Sequence, residues 1–309
     1  MTPTLHRGSF RLPSPLLAAL AAAGAVLARP DVRAQAANGP PAVSVVATPV
    51  WVSQDLFRGQ RLSGPAFQPS VEADYAGVAL GVWTNFPIGG KVRDPAALPS
   101  AKSDPEIDVY GSNAISLSPS LSLQPGFTVY TYPDADPLGA ARPVFGQPNA
   151  TVTGPGNFRA TFEPSLALNW TLSPVRISPK VYYDTVLRSF TGEVDAVAAL
   201  PLRSVGSELD LGATLGAYDM RSALDVRGAG TQEPSGAFEP FGDVRRSGGY
   251  GLVQVSLPYQ LGAHTRASAT YAYTAGFDTR QTVAGRSGSG PNPLAASRGF
   301  VTVSLAYTF

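Results

Sequence analysis

Acid–base, nucleophilic and metal chemistry draw on histidine, cysteine or clustered carboxylates, and this chain of 309 residues has two histidines and no cysteine. His6 lies in an N-terminal stretch read below as a removable leader, which leaves His264. A Ser–His pair or a His-based metal site needs partners that converge on the imidazole. His264 follows Gly262-Ala263, a turn signal, with neither a second histidine nor a cysteine to join it. It reads as a solvated turn residue. Asp134 and Asp136 (PDADP) offer oxygen ligands, but they lack the ordered spacing of a calcium loop and also read as a solvated turn. No catalytic residue, metal site or cofactor is assigned, and the chain is not read as an enzyme.

Charged residues at even spacings carry a different chemistry. Glu72 and Asp74, Glu106 and Asp108, Arg159 and Glu163, and Arg176, Lys180 and Asp184 recur two or four apart. In an extended chain, residues i, i+2 and i+4 share one face. Each group therefore presents its charges on one side of a strand. Rows of such charges along a water-filled passage order water and favour one sign of ion. Whether a passage exists depends on the elements that hold them.

The clearest element is the last, Phe300 to Phe309 (FVTVSLAYTF). Val301, Val303, Leu305, Tyr307 and Phe309 alternate with Thr302, Ser304, Ala306 and Thr308, so one face is apolar and the other small or polar. That period of two predicts a strand, and about ten residues is what a tilted strand needs to cross a bilayer. Its aromatic end suits an interfacial girdle. The apolar face resembles the signal read by the outer-membrane assembly machinery.

The same pattern recurs upstream, as in Leu166, Leu168, Trp170 and Leu172, and twelve strands are predicted, centred near residues 47, 71, 82, 111, 126, 165, 181, 196, 213, 255, 270 and 304. The eighth is the least regular. Ala76-Gly77, Ser118-Pro119, Ser173-Pro174 and Gly262-Ala263 mark short turns, and Pro/Gly/Asp-rich segments near residues 87 to 104, 133 to 157, 219 to 247 and 276 to 297 mark long links. Short and long links alternate as in outer-membrane barrels. The predicted fold is all-β, a transmembrane antiparallel up-and-down β-barrel of about 12 strands, with 10 or 14 also compatible with the boundaries. Pro49, Pro69, Pro125, Pro164 and Pro179 fall inside predicted strands and cannot donate a ladder hydrogen bond, so bulges or strand ends are expected there.

Residues 1 to 36 read as a secretory signal. Arg7 and Arg11 precede an apolar run of thirteen residues, Leu16 to Ala28, and Ala34-Gln35-Ala36 supplies a small-x-small cleavage site. A helix needs about 20 residues to span a bilayer, so this run is a signal core and not an anchor. Taking Arg7, Arg11, Arg29, Arg33 and Asp31 from totals of 23 basic and 22 acidic residues leaves 19 and 21, a net charge of −2 for residues 37 to 309. A nucleic-acid partner is not implied. Export through the periplasm to the bacterial outer membrane is the expectation, with lipid and the assembly machinery as partners.

A charge facing lipid near mid-membrane costs about 2–4 kcal/mol for Lys or Arg. The evenly spaced charges are therefore expected to line the lumen: Glu72, Asp74, Glu106 and Asp108 as an acidic patch, and Arg159, Glu163, Arg176, Lys180 and Asp184 as a mixed patch facing it. Two readings follow. One is a porin-like channel for small hydrophilic solutes; the other is a structural or surface-display barrel with a salt-bridged, plugged lumen whose outer loops bind a partner. Arg58 ends the first strand and is placed either at the lumen mouth or in an exposed loop.

Ser53-Gln54-Asp55-Leu56-Phe57-Arg58-Gly59 resembles the first strand and aromatic-Arg-Gly turn of the TorF-type porin family of bacterial outer-membrane proteins. Val71 to Trp83, Glu106-Ile107-Asp108-Val109-Tyr110 and Tyr130-Thr131-Tyr132-Pro133 follow in that family's order, so the likeness covers roughly residues 43 to 133. It implies a porin barrel with no catalytic residue. The long Pro-rich segment 133 to 157 departs from the family pattern.

The export reading predicts Ala37 as the mature N-terminus. N-terminal sequencing of the membrane fraction checks it, and an intact Met1 there would contradict it.

Overall fold

The computed structural model describes residues 43–88, 105–131, 133, 142–144, 147–152, 160–185, 189–202, 206–221, 230–232, 238–240, 244–283 and 289–309. The proposed signal, Arg159, Asp134 and Asp136 lie outside the described residues. Twelve barrel strands run in chain order. They are β1 (Ser44–Thr48 with Val50–Val52), β2 (Ala66–Phe67 with Ser70–Tyr75), β3 (Val78–Pro87), β4 (Glu106–Asn113 with Ile115–Ser118), β5 (Leu121–Thr131) and β6 (Ala160–Leu172). The second half comprises β7 (Val175–Asp184), β8 (Ser189–Leu202), β9 (Ser207–Arg221), β10 (Val244–Gln260), β11 (Thr265–Val283) and β12 (Ser297–Thr308).

Each strand pairs antiparallel with its chain neighbours, and β12 closes the sheet by pairing with both β11 and β1. At the seam Val46 stands opposite Thr308, and the Phe309 amide donates to the Val45 carbonyl at 2.9 Å. Closure leaves no unpaired edge, the condition for a sheet to sit in lipid.

Alternation separates the two faces. Leu166, Leu168, Trp170, Leu211, Leu215, Val301, Val303 and Leu305 are all exposed, whereas Glu163, Thr191, Thr214 and Thr302 between such positions are buried. An exposed apolar surface of this extent marks a lipid contact. Tyr75, Trp170, Tyr259 and Tyr307 ring it at the end of the short turns, and Trp51, Phe67, Phe86, Phe162, Tyr183 and Phe190 ring it at the other. Trp170 and Phe162 stand eight residues apart on β6. At a rise of about 3.3 Å per residue and a tilt of about 40°, that is about 20 Å along the membrane normal, near the height of an apolar band. The chain is a transmembrane barrel of outer-membrane type.

The prolines explain the irregularities of the ladder. Pro49 and Pro69 interrupt β1 and β2. Pro125 pairs with Leu166 of β6 but falls where the β4 ladder breaks, between the partners of Leu123 and Gly126. Pro179 pairs with Val194 of β8 and sits in the gap of the β6–β7 ladder between Ile177 and Lys180. Each lies where the missing N–H has no partner to satisfy. The eighth strand, irregular in sequence, is a continuous fourteen-residue strand paired on both sides.

The Ala76-Gly77 turn has both residues at positive φ (52° and 86°), a two-residue hairpin of the type that matches strand twist. On the opposite end β9, β10 and β11 run for 15, 17 and 19 residues, beyond what a bilayer crossing needs. Parts of segments 219 to 247 and 276 to 297, expected as loops, therefore continue as paired strand. Neighbouring backbones go on satisfying one another after lipid ends.

Leu215, midway along β9 and facing lipid, tests this orientation. Leu215→Arg should destabilise the folded barrel by about 2–4 kcal/mol, measured by urea unfolding in lipid vesicles.

Candidate functional site

A closed barrel of twelve strands about 4.8 Å apart and tilted about 40° has a backbone diameter of roughly 24 Å. Eight strands are about the number whose interior side chains alone can fill, so this interior needs another occupant or water. The link between β1 and β2 supplies one. Its strands Asp55–Phe57 and Gln60–Ser63 pair as a small hairpin, with Phe57 opposite Gln60. Asp55, Arg58, Gln60 and Ser63 are all buried, so this polar hairpin lies inside the barrel and not above it.

The hairpin tip is Arg58-Gly59, both at positive φ (49° and 72°). A turn of this kind favours Asn-Gly or Asp-Gly, because a non-glycine residue pays for a left-handed backbone. Gly59 is required: a Cβ there would lie 2.4 Å from Cβ of Tyr250 on β10. Arg58 is present for its guanidinium. Nη1 and Nη2 donate to the two carboxylate oxygens of Glu163 on β6 at 2.8 and 2.7 Å. The Tyr130 hydroxyl on β5 donates to the same carboxylate at 2.8 Å. The guanidinium carbon sits 4.4 Å from the Tyr182 ring centroid on β7 and 4.5 Å from that of Phe57. Paired twice and sandwiched between rings, the cation tolerates burial that would otherwise be prohibitive.

Three further walls hold the hairpin. The Asp55 carboxylate accepts from Asn85 Nδ2 on β3 at 2.9 Å and from Gln68 Nε2 at 3.2 Å. Leu56 packs on Leu252, Ala272 and Phe300, an apolar patch on the inner faces of β10, β11 and β12. Along the other edge, the Arg61 amide donates to the Leu294 carbonyl at 2.7 Å and the Ala296 amide to the Gly59 carbonyl at 2.9 Å. Asn292 in that same segment donates to Gln60 Oε1 at 3.2 Å and to the Tyr218 hydroxyl at 3.1 Å. The hairpin thus crosses the lumen at the end opposite the short turns.

Below it, the polar side chains lie along the wall. Gln124 donates to Ser112 at 2.9 Å, Asn169 to Gln124 at 3.1 Å, and Ser178 to Asn169 at 2.9 Å, which links β4 to β7. Lys180 pairs with Asp195 on β8 at 2.6 Å, Thr214 on β9 donates to Asp195 at 2.5 Å, and Arg266 on β11 pairs with Glu208 on β9 at 2.6 Å. None of these bonds reaches across the barrel. The Lys180 and Arg266 side chains are 29% and 30% accessible, against 8% for Arg58.

Glu72 and Asp74 alternate with exposed Val71 and Tyr75, and Glu106 and Asp108 flank the register of exposed Val109, so all four lie on the inner face. Glu163, Arg176, Lys180 and Asp184 do so as well, opposite in phase to exposed Phe162, Val181 and Tyr183. The two patches, expected to face each other, lie two to five strands apart around the twelve-strand barrel, β4 nearest to β6 and β2 farthest from β7. Strand order places only β5 between β4 and β6, and Lys180 pairs sideways with β8. Glu163 is committed to Arg58. Sequence reasoning missed the inward course of residues 55–63 and its partners Gln68, Asn85, Tyr250 and Asn292. The sequence carries one weak signal, the apolar pair Leu56 and Phe57 beside the Arg-Gly turn.

His264 is exposed in the β10–β11 turn, where its carbonyl accepts from the Thr308 amide at 2.8 Å. Among the described residues no group of three or more His, Cys, Asp or Glu side chains is placed to hold a metal ion.

Solved structures similar to this chain include the KdgM porin, at 9% identity with a TM-score of 0.43 over 86% of this chain and 99% of that chain. The NanC porin matches at 11% identity and a TM-score of 0.42 over 86% and 99% of the two chains. The COG4313 outer membrane channel from Pseudomonas putida F1 matches at 11% identity and a TM-score of 0.44 over 88% and 97%. No protein-family description and no curated protein sequence matches the chain.

Gly59→Ala should destabilise the barrel by about 1–3 kcal/mol, because the Cβ must displace Tyr250. Gly262→Ala, in a turn with nothing within 4 Å of the added Cβ, is the control and should stay within about 0.5 kcal/mol. Urea unfolding of both variants decides.

Proposed function

We propose that the barrel is an outer-membrane channel for small hydrophilic solutes or ions, narrowed at its loop end by the inner hairpin. The observation that carries this reading is the wall below the hairpin. Its charged and polar side chains bond sideways to neighbouring strands and remain partly accessible, while an interior roughly 24 Å across between backbones is too wide for them to fill. Polar walls around an unfilled space hold water, and a water-filled conduit closed by lipid on its outside passes solutes. The resemblance of residues 43 to 133 to the TorF-type porin family agrees with this reading, and membership of that family is part of the proposal.

The plugged surface-display barrel stays as the second reading because of one observation: the hairpin is tethered to most of the barrel's circumference. The two differ in current. Refolded protein in a planar bilayer should conduct in steps if it is a channel; a barrel plugged by the hairpin gives none until residues 54–64 are replaced by a short turn.

Selectivity follows from the wall charges. Glu72, Asp74, Glu106 and Asp108 sit on a stretch of wall bearing more carboxylates than cations, so they should bias the conduit toward cations. Changing all four to Gln or Asn should shift the reversal potential in a salt gradient toward anion preference. An unchanged potential in a conducting variant would put those carboxylates outside the ion path.

A further inference from the structure

Apart from Phe57, which covers one face of the guanidinium, the groups that receive Arg58 belong to the wall and not to the hairpin. Glu163 offers both oxygens of one carboxylate, Tyr130 fixes that carboxylate, and the Tyr182 ring forms a flat floor, so three successive strands build a fork-and-face site. This geometry fits a planar guanidinium and suits a compact ammonium poorly. The surroundings add negative charge. Tyr250 and its partner Glu193 on β8 adjoin the site, and with Asp195 the nearby carboxylates outnumber the two cations Arg58 and Lys180.

Arg58 reaches the pocket at a cost. It holds a left-handed backbone in a turn that asparagine or aspartate would suit better. A residue retained against its local preference is there for its side chain. The hairpin has its own antiparallel pairing and joins the barrel strands only through the ends of β1 and β2, so it can leave the lumen without unpairing the twelve-strand ladder, at the loss of its backbone bonds to Leu294 and Ala296.

We propose that Glu163, Tyr130 and Tyr182 form a guanidinium-binding site in the channel wall that Arg58 occupies as a built-in ligand. A guanidinium-bearing solute arriving at the loop end competes for the site and releases the hairpin. The inference rests on the channel reading and names the solute class that opens it. With Arg58 displaced, the two carboxylate bonds pass to the solute and the hairpin loses its ion pair to Glu163 on β6.

The test uses the full-length mature barrel in planar bilayers, with ethylguanidine as probe and ethylurea, uncharged and of the same shape, as control. Millimolar ethylguanidine on the loop side should raise wild-type conductance several-fold, toward that of a variant in which a short turn replaces residues 54–64. Ethylurea should do nothing. Glu163→Gln should start near the high level and ignore both compounds. Should the shortened variant fail to show heat-modifiable migration, Arg58→Ala takes its place as the open reference. Wild-type conductance that stays unchanged or falls with ethylguanidine, beside a more conductive open reference, overturns the inference and leaves the channel standing. If neither the wild type nor the open reference conducts, the channel reading itself fails.

Discussion

Backbone amides placed in hydrocarbon have no water to bond, and every feature of this molecule is arranged around that constraint. A sheet satisfies them only if it has no edge, so β12 must return to β1, and it does so with Phe309 held against Val45. Prolines are admitted only where a ladder is already broken. Pro125 and Pro179 each keep a partner on one side and face a gap on the other. Past the lipid boundary the constraint relaxes into a preference, and β9 to β11 continue as paired ribbon because exposed edges there would still cost hydrogen bonds.

Closure with twelve strands creates a second problem, an interior wider than its side chains can fill. Two solutions coexist along the axis. Near the loop end, chain fills the space: the hairpin of Asp55–Phe57 and Gln60–Ser63 brings its own backbone pairing, so it can be buried without orphaned amides. Nearer the turn end, the channel proposed above leaves it to water, and polar side chains line up along the wall in sideways pairs such as Lys180 with Asp195.

The contact between these regions is electrostatic. A guanidinium buried without a counter-charge would be expelled, and removing one partner of a buried pair costs about 3–5 kcal/mol. Arg58 is accepted because Glu163 meets it with two oxygens while two rings cover its faces. The Arg58 contact is thus made of bonds that a soluble cation of the same shape can imitate, unlike the apolar seat of Leu56 on Leu252, Ala272 and Phe300 or the backbone bonds to Leu294 and Ala296.

The class, strand number and faces of the barrel were legible in the sequence, because lipid on one side and water on the other impose a period of two that each strand writes locally, as in Val301 to Phe309. The inward orientation of Glu72, Asp74, Lys180 and Asp184 follows from the same period. What neighbours what around the barrel was not legible from any strand alone. The two charged patches, read as opposed, lie on β2 and β4 and on β6 and β7, and how far apart they stand is set by the number of strands in the closed sheet. Most of all, the sequence alone did not decide where residues 53 to 65 go. An Arg-Gly turn is compatible with an external loop or a plug, and the choice between them is made by Glu163, Tyr182, Asn85 and Tyr250, which lie far along the chain and meet the hairpin only after the barrel has closed around it.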